Sequence, residues 1–170
     1  FDAQINRVNA TKANVGNAIS FSQTQDGYLQ KVGKALNRMS ELSVLAQDIT
    51  KTATDIGLYG SEYTTLRAYI SDTATKLFNE NNLFSGAGLT VTTDSEGGAG
   101  FTMGAADLTT MVAAVGVAPT TAAEALTAQG NLKTAIGLLA AGRATVGSNI
   151  SRLTYTSDQL SVLKDNLSAA

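Results

Sequence analysis

The chain has 170 residues, a formal net charge of −2, a pI near 5.0 and only 15% charged residues, with no Cys, His or Trp. That length is enough for one domain with a real core. The missing side chains remove the usual zinc, haem and thiol ligands and one member of the commonest nucleophile–base pairs. No Lys/Arg block points to nucleic acid or an anionic membrane, and no apolar run approaches the ~20 residues that span a bilayer.

The sequence starts at Phe1, with neither an initiator Met nor a signal peptide, and reads as a soluble piece of a longer chain. Residues 1 to about 53 contain no Pro and carry helical spacing. Leu29, Val32, Leu36, Met39, Leu42 (with Ala46) and Ile49 fall three and four apart, and Ile5, Val8, Val15 and Ile19 extend the stripe upstream. A helix over 3–53 would be ~75 Å long. Thr54 or Asp55 then caps a second helix, over 55–78. In it Tyr59, Tyr63, Leu66, Ile70, Thr73 and Leu77 alternate four and three apart, the spacing of a coiled-coil seam. The turn-favouring run Asn79-Glu80-Asn81-Asn82 ends it.

Residues 83–118 change character. Gly86, Gly88, Gly97, Gly98, Gly100 and Gly104 crowd a short span. Leu89 to Thr93 reads as a strand, Asp94 to Gly100 as a turn and Phe101 to Met103 as the returning strand, so a hairpin is expected over 88–104. A short helix is compatible with Leu108 to Ala114. Pro119, the only proline, closes this stretch.

Thr121-Ala-Ala-Glu124 matches a capping box for a third helix, over 121–168. Its seam is the clearest pattern in the chain: Leu132, Leu139, Val146, Leu153, Leu160 and Leu167 recur every seven residues, with Ile136 and Ile150 as the offset set. A ladder this long needs partners, and the seams of the first two helices supply them. The sequence therefore predicts a mainly α, elongated three-helix coiled-coil-like bundle as a single domain over 1–170. A β-hairpin lies at one end, and the first and last residues meet at the other.

Gly16, Gly27, Gly33, Gly130, Gly137, Gly142 and Gly147 fall inside these helices, each costing ~1 kcal/mol relative to Ala. They read either as tolerated positions on exposed faces or as points of close helix approach. Asp48, Asp55, Asp72, Asp94 and Glu96 form no D-x-D-x-D-G loop, and Gly97-Gly98-Ala99-Gly100 lacks the Lys of a phosphate loop. No catalytic, metal or cofactor site is expected. Asn9-Ala-Thr11 and Asn149-Ile-Ser151 match a glycosylation triplet, but both fall in helices and read as chance.

Four separated stretches carry recognisable wording. Asn17-Ala-Ile-Ser-Phe-Ser-Gln-Thr-Gln-Asp-Gly-Tyr-Leu29 and Leu36-Asn-Arg-Met-Ser-Glu-Leu-Ser-Val-Leu-Ala-Gln47 resemble the N-terminal helix of bacterial flagellins. Asn79-Glu-Asn-Asn-Leu-Phe-Ser-Gly86 resembles the link that follows that family's second helix, and Arg143-Ala-Thr-Val-Gly-Ser-Asn-Ile-Ser-Arg-Leu153 is similar to its C-terminal helix. The resemblance covers about residues 1–86 and 120–170 and implies a core rod without the terminal polymerisation arms.

The resemblance also implies a structural subunit of the flagellar filament that supports swimming, secreted through the flagellar export apparatus and extracellular. It implies no enzymatic activity, no nucleic acid or membrane partner, and a monomeric fragment. A hook–filament junction protein and a surface binding protein or adhesin on the same fold are the alternatives. Arg38, Leu42 and Glu62 match flagellin positions contacted by the mammalian flagellin-sensing Toll-like receptor, which family members also bury between neighbouring subunits. Ser40 stands where receptor-activating members often carry a basic residue.

Overall fold

The structure is a computed structural model that describes residues 1–169. Among these residues the chain forms α1 (Asp2–Leu45), α2 (Ala53–Thr73), β1 (Leu77–Phe78), β2 (Asn81–Asn82), β3 (Thr90–Val91), β4 (Phe101–Thr102), α3 (Leu108–Val115) and α4 (Ala122–Ala169). At 1.5 Å per residue, α1 and α4 are about 65 and 70 Å long, and they run antiparallel. Asp26 meets Arg143 in the middle, while Ala46 packs near Ala125 at the end away from the chain termini.

The α1–α4 interface is a continuous coiled-coil seam. On α1 the buried set is Val8, Thr11, Val15, Ala18, Ser22 and Gln25, then Leu29, Val32, Leu36, Met39, Ser43 and Ala46. Every step is three or four residues. On α4 the predicted ladder is buried from Leu132 to Leu160, and Leu167 is half-buried. The offset set differs from expectation: Ala128, Ala135, Asn149 and Thr156 are buried, while Ile136 and Ile150 are only partly covered. Most buried hydroxyls satisfy themselves on their own helix. Thr11, Ser43 and Thr156 each donate to the carbonyl four residues back, at 2.9, 3.0 and 3.0 Å.

α1 stops at Leu45, earlier than the predicted 53, because Asp48 builds a turn. Its carboxylate accepts from the Thr50 N–H and hydroxyl, both at 2.8 Å, and Ile49, predicted on the seam, is 97% exposed. The cap of α2 is Thr52, two residues before the first predicted candidate. Its hydroxyl accepts from the Asp55 N–H, and the Asp55 carboxylate accepts from the Thr52 N–H, which closes a capping box. α2 ends at Thr73, short of 78. Asn79 and Glu80 both adopt positive φ, at 49° and 65°, the requirement of a two-residue hairpin turn, so Leu77 lies in a strand and not on the α2 seam. At the start of α4, Thr121 accepts from the Glu124 N–H as predicted. The Glu124 carboxylate instead reaches Thr120, accepting from its N–H at 2.8 Å and its hydroxyl at 2.7 Å.

The rod has two unlike halves. Away from the termini, α2 and α3 cover the α1–α4 pair. Tyr63, Ile70, Leu108, Met111 and Val115 are all buried there, and the Tyr63 hydroxyl donates to the Val115 carbonyl at 2.9 Å. Toward the termini α2 is replaced by the β3–β4 hairpin, with Thr90 opposite Thr102 and Val91 opposite Phe101. The hairpin does not point away from the termini, as predicted. It lies back along α1 and α4, so that Glu96 at its tip pairs with Arg7 at 2.9 Å. The deciding contacts join residues 45 to 89 positions apart, which local pattern does not encode.

Candidate interaction surface

The predicted surface residues lie on α1 and α2 in the half of the rod away from the termini. α1 carries Arg38 outward and α2, running back alongside it, carries Glu62. The Arg38 guanidinium grips Glu62 through two bonds, Nε to Oε1 at 2.7 Å and Nη2 to Oε2 at 3.1 Å, and its Nη1 reaches Glu41 at 2.8 Å. This fork matches carboxylate geometry. The hydrogen bond from Arg38 holds the Glu62 carboxyl below its ordinary value, and the reverse bond raises the guanidinium further. Both side chains remain over 40% exposed, so the pair fixes the relation of two helices more than it stabilises them.

Leu42 is the exception. It is 1% exposed and belongs to the main core cluster, so its side chain presents nothing to a partner. α1 is flanked here by both α2 and α4, and its buried arc widens beyond one seam to take in Ala35 and Leu42. The structure brings Arg38 and Glu62 together and withdraws Leu42 from the surface.

The acids weighed for chemistry are engaged in turns, caps and ion pairs, all of them local except Glu96, which pairs with Arg7. Asp72 pairs with Lys76 at 2.9 Å, and Asp94 accepts from the N–H groups of Glu96 and Gly98 in the hairpin turn. Among the described residues no group of three carboxylates is close enough to hold a metal ion.

Asn149 is a structural residue that pattern reading passed over. It is 3% exposed, donates to the Gly104 carbonyl at 2.9 Å and accepts from the Gly104 N–H at 2.9 Å. One carboxamide thus latches the exit of the hairpin to α4. Gly104 gives room there: a Cβ would sit 2.5 Å from Thr145 Cγ2, so an alanine would make that side chain shift. Gln25 does the same from α1, donating to the Leu83 carbonyl at 2.6 Å, while Leu83 and Phe84 fill the core beneath. A polar residue three after Val146 and four before Leu153 was the available signal.

Six of the seven helical glycines singled out have open space where a Cβ would stand; only Gly33 meets a neighbour, Leu139 at 3.1 Å. Close approach within the chain therefore accounts for Gly33 alone. No helix among the described residues is long and apolar enough to cross a membrane.

No protein-family model matches the chain, and no curated protein matches it by sequence. Its structure is similar to the crystal structure of Bacillus cereus flagellin, with a TM-score of 0.79 and 27% identity over 87% of this chain and 88% of that one.

Proposed function

From a flagellin-like fold as premise, we propose that the chain is a structural, non-enzymatic subunit of the bacterial flagellar filament, exported and assembled outside the cell to support swimming. The observation that carries this reading is the likeness along nearly the whole of both chains, and the four flagellin-like motifs in the same order support it. In this reading the α1–α4 seam makes a stiff rod. The exposed faces, rich in Ser, Thr, Asn and Gln, make many weak contacts with neighbouring copies, contacts of the kind that tolerate small shifts of register.

Immunogold labelling of the parent bacterium with antibody raised against residues 1–170 tests the reading. Labelling along the whole filament is expected. A single band at the base of the filament supports the junction-protein alternative, and label on the cell surface away from flagella supports an adhesin.

A second reading concerns the Arg38–Glu62 fork. We propose that these two residues, without Leu42, form the part of the surface open to the flagellin-sensing Toll-like receptor. The exposure of both side chains favours it. A reporter-cell response that is lost in Arg38→Ala is expected; the absence of any response from the parent chain overturns it.

A further inference from the structure

A cleft of about 370 Å³ opens between α1, the β1–β2 turn and β3. Its lining carries no charged side chain, and its polar groups are carboxamides and hydroxyls: Asn14, Asn17, Asn79, Asn81, Thr90 and Thr92. Phe21 and Phe78, packed edge to face with ring centroids 5.7 Å apart, make the floor. A neutral lining disfavours a charged ligand, which would lose its hydration without gaining a counter-charge. A carboxamide both donates and accepts, which matches the paired N–H and C=O of a peptide group.

The molecule already uses that match once, and half of it a second time, in this half of the rod. Asn149 pairs with both backbone groups of Gly104, and Gln25 takes the Leu83 carbonyl. Asn14, Asn17, Phe21 and Gln25 fall on one stripe of α1, spaced three or four apart. The lower part of that stripe grips the chain's own irregular backbone. The upper part, Asn14 and Asn17, faces the cleft with both residues exposed. Among the described residues β3 beside it pairs with β4 alone, and no strand hydrogen-bonds its other edge.

We propose that this cleft binds a short, extended, uncharged peptide segment. The Asn14 and Asn17 carboxamides take its backbone, and one apolar side chain rests on the Phe21–Phe78 floor. The proposal concerns a different part of the rod from the Arg38–Glu62 face and does not depend on the filament reading.

Titration of the ¹⁵N-labelled chain with Ac-Thr-Val-Thr-NH₂ tests it by NMR. Saturable shifts confined to the side-chain amides of Asn14, Asn17, Asn79 and Asn81 and to the Thr90 backbone are expected. The double variant Asn14→Ala/Asn17→Ala alters only exposed positions and should melt within a few degrees of the parent while binding about tenfold more weakly. Three results overturn the proposal: no saturable shift, equal binding by the double variant, or shifts at these residues with maltotriose and none with the tripeptide. Ac-Asp-Val-Asp-NH₂ binding as tightly as the neutral peptide would overturn the argument from charge.

Discussion

The two halves of the rod share α1 and α4 but cover them differently. Away from the termini, helices α2 and α3 close a core of Leu29, Leu36, Met39, Tyr63, Ile70 and Leu132, all at most 1% exposed. Toward the termini the cover is a hairpin whose strands are two residues each, and the seam beneath it includes Thr11, Ser22, Gln25, Asn149 and Thr156. Its hold on the helices combines a small apolar contact, through buried Val91 and Met103, with polar latches: the Asn149–Gly104 pair, Arg152 5.3 Å over the Phe101 ring, and the exposed Arg7–Glu96 bridge. A helix can thus be continuous in geometry while its stability changes along its length. Buried apolar contact sets the cost of opening, and hydrogen-bonded latches set position at small net gain.

Substitutions matched across the halves sharpen this contrast. Leu36→Ala and Leu153→Ala remove the same atoms from sites that are both fully buried. Leu36→Ala should cost about 4 kcal/mol in urea denaturation and Leu153→Ala about 2 to 3, since the cover at Leu153 relaxes more easily. Equal losses would break the comparison. Asn149→Ala comes next, at about 1 to 3 kcal/mol, because it strands both backbone groups of Gly104. Gly104→Ala attacks the same latch, so the double variant should lose much less than the sum of the two.

Acid should weaken the middle of the rod and the half away from the termini in the same window. The Asp26 carboxyl, bonded by Arg143, and the Glu62 carboxyl, bonded by Arg38, lie below their ordinary values of 3.8 and 4.5. Their stabilising contribution is complete above those unfolded-state values and is lost as pH falls through the lower folded ones. Thermal melts should be flat from pH 7 to about pH 5 and decline below pH 4, with the decline reduced in Asp26→Asn. The smallest effect is a gain. Gly130→Ala and Gly137→Ala fill open space on α4 and should each stabilise the isolated chain by at most ~1 kcal/mol. A filament that still assembles from the variants marks these glycines as tolerated; one that fails marks them as contacts between copies.

The helices and the Leu132-to-Leu160 ladder were legible in sequence because large apolar residues at heptad spacing have few other uses. Ala128, Ala135 and Asn149 were not, since a small or polar seam residue looks like surface until its partner is known. The ends of α1 and α2 were missed for a local reason: Asp48 and the Asn79-Glu80 turn act through side-chain and backbone geometry that hydrophobic spacing ignores. The direction of the hairpin rests on contacts between distant residues. For the surface, family resemblance put Arg38, Leu42 and Glu62 in one set across two helices; it did not reveal the Arg38–Glu62 ion pair, and Leu42 depended on how wide an arc of α1 its neighbours bury.

Native-state hydrogen exchange along α1 tests the central claim most directly, because one helix spans both halves. Amides from about Leu29 to Ser43 should exchange only with global unfolding, while those from about Val8 to Ser22 should open earlier, together with α4 beyond Val146 and the hairpin. Uniform protection from one end of α1 to the other would contradict the account.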